Sequence, residues 1–206
     1  MRHNPNYAVT DERVVRQLIA DNPWATLVSN DGDGIVASHY PMLLDEQADG
    51  IALVTHVGRP DEQVHRFRDS EVMVIVAGPQ GYISPSWYAP GATRVPTWNF
   101  SVAHLWGVPQ ILEEGENLAV LERLVAHFER HVDRPVTLDA HSKRLASGTV
   151  GLRIPVERFV CKVKMSQEED PQSQQQVLAA LRSPGPYASA PLADAIEAEL
   201  ARRAGE

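Results

Sequence analysis

The apolar residues in the first half of this chain come in short β-branched runs, and each run is closed by a cluster of turn formers. Trp24–Ser29 is one such run, Asn30-Asp31-Gly32-Asp33-Gly34 is a hairpin signal, and Ile35–Leu44 reads as the return strand. Asp45–Gly50 is a second polar turn, and Ile51–Val57 is a third strand broken by Gly58-Arg59-Pro60. Asp61–Asp69 has room for a short helix. Glu71–Ala77 is an apolar strand suited to burial on both faces, followed by a turn at Gly78-Pro79-Gln80-Gly81 and renewed pairing over Tyr82–Ser84.

Helical patterns flank this run of strands. Thr10 is the expected N-cap of a first helix, with Val14, Val15, Leu18 and Ile19 on one face and Asn22-Pro23 as its stop. Thr97–Leu112 reads as a long strand bent at Gly107-Val108-Pro109, because proline cannot donate to a ladder. Leu118, Leu121, Val125 and Phe128 share a helical face. Thr149–Ile154 and Phe159–Met165 are two further strands. Pro171–Leu181 and Leu192–Leu200 are tail helices separated by Ser183-Pro184-Gly185-Pro186. Strands in hairpin order with helices at the edges favour an antiparallel barrel or sandwich over a βαβ sheet. The expected fold class is mainly β with peripheral helices, in one domain spanning 1–206 with a helical extension from about 171.

Charge and composition exclude several classes. Nineteen Lys and Arg against 27 Asp and Glu give a net charge of −8, which argues against a dominant phosphate-binding surface. The one cysteine, Cys161, excludes an intrachain disulfide framework and a cysteine-based zinc cluster. Met1-Arg2-His3-Asn4-Pro5 carries no apolar signal-peptide core, and no apolar run approaches the roughly 18 residues of a membrane span. A soluble, cytoplasmic protein is expected. The chain has no GxGxxG, P-loop or GxSxG motif, so a Rossmann dinucleotide site and an α/β-hydrolase are poor readings.

Candidate chemistry is concentrated in a few places. His127 and His131 stand at i, i+4 without the order of an HExxH motif, and read as a solvated helix flank rather than a metal site. His39, His56 and His104 each fall in or at the end of a strand. Singly each reads as a packed core histidine, while three on neighbouring strands near one loop point to a site; their spacing gives no support to a metal centre. Aromatics make up only 6% of the chain, yet five lie in Tyr82-Ile83-Ser84-Pro85-Ser86-Trp87-Tyr88 and Val95-Pro96-Thr97-Trp98-Asn99-Phe100. Tyr and Trp join a flat face to a polar handle, so this segment suits either stacking on a planar heterocycle or a loop held down by its own rings.

These two segments, with Val102-Ala103-His104 and Gly107, resemble the PaiB family of FMN-binding negative transcriptional regulators. The likeness continues at Ala37-Ser38-His39-Tyr40-Pro41, Thr55-His56, Gly148–Ile154 and Lys164-Met165-Ser166-Gln167, and covers nearly the whole chain. It implies an antiparallel, Greek-key FMN-binding split barrel, similar to pyridoxamine-phosphate oxidase, working as a homodimer with flavin between protomers. It also implies a flavin-dependent oxidoreductase or a flavin or redox sensor linked to transcription. The matched positions offer Arg59 and Lys164 as cations for the phosphate, and Ser38, Thr55, Ser84 and Ser166 as hydroxyls. Trp87 and Trp98 are candidate ring walls, Asn99 and Gln167 candidate edge partners, and His39, His56 and His104 candidate hydrogen-bonding groups. Two departures bear on the phosphate: Asp61 stands where relatives have Asn, and Glu168-Glu169 where they have Asn-Arg, so phosphate affinity is expected to fall. A catalytic residue and a physiological substrate are not legible. The alternatives are a DNA-binding repressor and a cofactor-free structural dimer. Direct DNA binding is disfavoured, because no helix-turn-helix with a basic recognition helix is present and Glu122 and Glu129 dilute Arg123, Arg130 and Arg134.

Overall fold

Strand β1 (Ala8–Val9) precedes helix α1 (Glu12–Asp21), then β2 (Trp24–Asn30), β3 (Ile35–Pro41), β4 (Leu43–Leu44) and β5 (Ala52–Gly58). Helix α2 (Arg59–His65), β6 (Val72–Ile83), β7 (Thr97–Gly107) and β8 (Gln110–Ile111) follow. Then come α3 (Glu114–Glu129), α4 (Ala140–Leu145), β9 (Thr149–Pro155), β10 (Arg158–Lys164), α5 (Pro171–Arg182) and α6 (Ala190–Ala204). This computed structural model describes residues 1–30, 32–67, 70–91 and 95–205. The class expected from the sequence, antiparallel β with helices around it, is the one found.

The chain divides into two compact units: residues 1–10, 77–102 and 160–206, and residues 11–76 and 103–159. Strands β6 and β7 run through both. In the second unit β2 and β3 pair antiparallel from Trp24↔Pro41 to Asn30↔Ile35, and β2 pairs with β6 at Thr26↔Ile75. The expected turn between β2 and β3 includes Asp31, which lies outside the described residues. A separate four-stranded ladder runs β4-β5-β9-β8, with β5 on β9 from Ala52↔Pro155 to Gly58↔Thr149. Helix α3 lays Val120 and Leu124 against Val54 and Leu112, with Leu43 at the edge of this cluster. Each such burial contributes about 1.5–3 kcal/mol. In the first unit the neighbour order is β1-β10-β7-β6, and α5 and α6 bury Val177, Leu181, Leu192 and Ile196.

Local chemistry sets the boundaries. Helix α1 starts one residue later than expected: Asp11, not Thr10, is its cap and accepts the Arg13 N–H at 2.9 Å. Helix α2 begins at Arg59 instead of Asp61; the proposed end at Asp69 lies outside the described residues. The long strand expected over Thr97–Leu112 is not merely bent but broken at Gly107-Val108-Pro109 into β7 and β8, and a Cβ at Gly107 would sit 2.0 Å from the Pro155 carbonyl oxygen. The clearest correction concerns Gly78–Gly81, expected as a turn but found inside the continuous strand β6. Gly81 serves a close approach there, since a Cβ would meet the Leu192 side chain of α6 at 2.7 Å. Among the described residues no helix is long and apolar enough to cross a membrane.

Candidate functional site

In the second unit, β3 is the edge of its ladder, and its side chains alternate between an inward and an outward row. Ser38 and Tyr40 face inward, as does Ser29 of β2. His65, at the end of α2, fits among them. Its Nδ1 lies 2.7 Å from Ser29 Oγ and its Nε2 lies 2.8 Å from Ser38 Oγ. The ring is 1% exposed and stacks on Phe67 with centroids 5.0 Å apart. The Tyr40 hydroxyl donates to Asp61 Oδ2 at 2.9 Å. Burial first, and then the Asp61 carboxylate, push the Tyr40 phenol up to about 12 against an opposing hydrogen bond from Ser38. The result is a closed polar cluster: each hydroxyl and ring nitrogen in it has a partner inside the protein.

The other candidates of this unit differ in availability. His39, on the outward row, stacks on the exposed Trp24 with centroids 6.3 Å apart. Thr55 is fully buried, and its hydroxyl donates to the Pro41 carbonyl at 2.6 Å. His56 is the opposite case: its Nδ1 is buried with no hydrogen-bond partner among the described residues, and burial holds the imidazole below its ordinary pKa. Arg59 opens α2. Its Nε donates to the Ser147 carbonyl at 2.6 Å, while its terminal nitrogens have no partner among the described residues. The pocket beside it also holds Glu62, Glu113 and Glu114. His104 sits edge-on to Trp106 at 5.8 Å, and burial lowers its pKa as well.

The first unit gathers the aromatics. Tyr82 is the hub, with Trp87 and Trp98 edge-on at 6.4 Å each and Tyr187 tilted at 5.0 Å. Trp98 is 56% exposed and Tyr187 52%, so the cluster is open on its outer side. Ser84 caps the short 3₁₀ turn Pro85–Trp87 by accepting the Ser86 N–H at 3.3 Å. Asn99 is buried and donates through Nδ2 to Ser166 Oγ at 2.7 Å. Gln167 donates to the Val163 carbonyl at 2.7 Å and accepts from the Met165 N–H. Lys164 donates to Thr97 Oγ1 and shares a surface pocket with Glu168 and Glu169.

The residues singled out from the sequence therefore fall into two sets, one in each unit. Thr55, Asn99, Ser166 and Gln167 use their polar atoms within the protein, whereas His56, Arg59 and Trp98 keep something free. Sequence reading missed His65 and Tyr187. His65 acquires its setting only when β2 and β3 pair, and Tyr187 lies in a proline-rich linker that reads as a spacer.

A family model described as "Putative FMN-binding domain" matches residues 1–158. The chain belongs to this family. Among relatives, it is 29% identical over 182 residues to "Protease synthase and sporulation protein PAI 2" of Bacillus subtilis, covering 86% of this chain and 87% of that protein. The fold is shared with the flavocytochrome Anf3 of Azotobacter vinelandii at a TM-score of 0.63 and 14% identity, over 80% of this chain and 72% of that one. It is also shared with an FAD and heme binding protein of Mycobacterium smegmatis at 0.61 and 14%, over 76% and 73%. The family is PaiB-like, and its cofactor is FMN.

The residues present fit FMN in kind. The partnerless His56 Nδ1 is a buried polar atom that a ligand hydroxyl or amide can satisfy, and such an atom is costly if left unmade. In the second unit the terminal nitrogens of Arg59 suit a phosphate oxygen; taken by itself, the open face of Trp98 in the first unit suits a planar ring. Asp61 and Glu62, in the first turn of α2, would oppose a phosphate placed beside Arg59.

Proposed function

We propose that this chain is a cytoplasmic FMN-dependent oxidoreductase or redox sensor, homodimeric, whose link to transcription runs through the flavin rather than through direct contact with DNA. The observation that carries the reading is the buried, unpartnered Nδ1 of His56, three positions before Arg59 on the path from β5 into α2. Bound FMN supplies hydride and single-electron transfer. The protein's part would be to bind and orient: in the second unit Arg59 offers its terminal nitrogens to a phosphate and His56 one hydrogen bond at Nδ1, and in the first unit Trp87 and Trp98 offer a wall for a planar ring. Dimerisation is favoured by the outward row of β2 and β3, where Trp24 and Ile35 are exposed beside an unpaired strand edge. The regulatory link draws on the name of the sporulation-related relative, and the charge of −8 is the reason for preferring an indirect route.

The test is the absorption and fluorescence of FMN titrated with the purified chain. Saturable quenching with resolved flavin bands supports the reading. Free-flavin spectra at about 100 μM of each component (a Kd too weak to matter in a cell) would remove it. Light scattering that returns only a 22.8 kDa species would remove the dimer.

A further inference from the structure

The second unit carries a pocket that none of the flavin-site candidates lines. Its volume is about 380 Å³, at the lower end of the range for small-molecule sites, about 300–1,000 Å³. Leu43 and Leu44 of β4, Ala20 of α1 and Ala126 of α3 supply an apolar lining. Arg123 and Arg130 supply two cations, His127 an imidazole, and Glu46 the one carboxylate. The spacing 123, 126, 127, 130 places the α3 residues on a single helical face.

The sequence suggests that Glu122 and Glu129 neutralise these arginines. The structure turns both away. Glu122 pairs with Lys143 at 2.7 Å, and Glu129 accepts the Val136 N–H at 2.9 Å. Arg123 donates to the Leu44 carbonyl at 3.0 Å and stands 3.7 Å from Asp45, but that buried carboxylate is already held by Arg153 at 2.8 Å. Asp45 thus serves two guanidinium groups, of which Arg153 also has Glu116 at 3.5 Å while Arg123 has no second carboxylate among the described residues. Arg130 donates through Nε to His131 at 2.9 Å, and its terminal nitrogens have no partner among the described residues. His127 lies below its ordinary pKa, from burial first and then from the charges of Arg130 and His131. In a chain of net charge −8, a pocket with two arginines and one glutamate stands out.

We propose that this pocket binds a small amphipathic anion. Its carboxylate or phosphate head pairs with Arg130 and Arg123, and its short hydrocarbon body lies on Leu43, Leu44 and Ala126. Glu46 selects against a second anionic group on the hydrocarbon body of the ligand. The site is separate from the flavin-site candidates and does not depend on flavin being bound.

Calorimetric titration of the full chain with acetate, butyrate, hexanoate and butyl phosphate tests this. Binding should be saturable and should tighten about threefold per added methylene, as buried hydrocarbon requires. The tighter of butyrate and butyl phosphate identifies the head group, and the His127 ring resonances should titrate at higher pH in the loaded protein. Arg130→Gln, on an exposed side chain, should weaken every ligand by about tenfold or more without moving the melting temperature. Ala126→Phe should fill the pocket and abolish hexanoate binding. Equal affinity along the acid series, hexanoate binding unchanged by Arg130→Gln, or no heat with any of the four ligands would overturn the proposal.

Discussion

The polar cluster of the second unit and the aromatic cluster of the first are built on opposite plans. Around His65, Ser29, Ser38, Tyr40 and Asp61 satisfy one another, and the ring is sealed from water. Around Tyr82, Trp87 and Trp98 stand edge-on and Tyr187 is tilted, yet Trp98 and Tyr187 leave about half their surface exposed. A closed hydrogen-bond network stabilises and specifies a fold, because any member left alone in a dry site is costly. An open aromatic surface contributes less to folding and keeps a face for a partner. Chemical appearance misleads here: the serine–histidine contacts look catalytic but are structural in their completeness, while the rings that look like core are the ones with free area.

That contrast can be broken by measurement. The largest expected effect is on the closed side. His65→Ala removes a buried ring together with its hydrogen bonds to Ser29 and Ser38, so urea unfolding should show a loss of about 3 kcal/mol. Trp98→Ala should change stability by no more than about 0.5 kcal/mol, as exposed positions usually do. Equal losses at both positions would erase the distinction.

The next effect belongs to the open side. Trp98→Ala should weaken FMN about tenfold in a fluorescence titration, while His65→Gln, which keeps a polar group in place, should change FMN affinity by about threefold or less. The reverse order would make the polar cluster the binding element.

The smallest effect sharpens the comparison through pH. Tyr40 titrates near 10.0 when unfolded and is pushed up to about 12 in the fold. A folded value above the unfolded one means that the stabilisation is fully present below pH 10 and is lost as pH rises towards 12. The stability difference between the parent and Tyr40→Phe should therefore shrink over that window. A difference that stays constant from pH 9 to 12 would place the Tyr40 hydroxyl outside the network.

Much of the architecture was legible because its causes are local. The β2–β3 pairing follows from alternation and turn formers close to it in sequence, and the tail helices follow from caps and spacing, with Asp170 and Ser189 accepting the N–H of Ser173 and Leu192. What escaped depends on distant residues. Gly81 looked like a turn because its reason, Leu192, lies more than a hundred positions away. The orientation of Glu122 and Glu129 could not be read without Lys143 and Val136. Within the candidate site, residue types were readable but hydrogen-bond occupancy was not, so Thr55 and His56, adjacent in sequence, looked equally available until one proved satisfied and the other partnerless.

Gly107 has a consequence for how such a family evolves. The atom a side chain there would strike is a backbone oxygen of Pro155, which has no rotamer to move away, so every substitution is opposed whatever the protein does. Descendants of a common ancestor should keep glycine at this position even after losing their ligand. A ranking of positions by invariance would then place Gly107 beside the residues that bind flavin, and only substitution experiments, not comparison of sequences, would tell the two kinds of constraint apart.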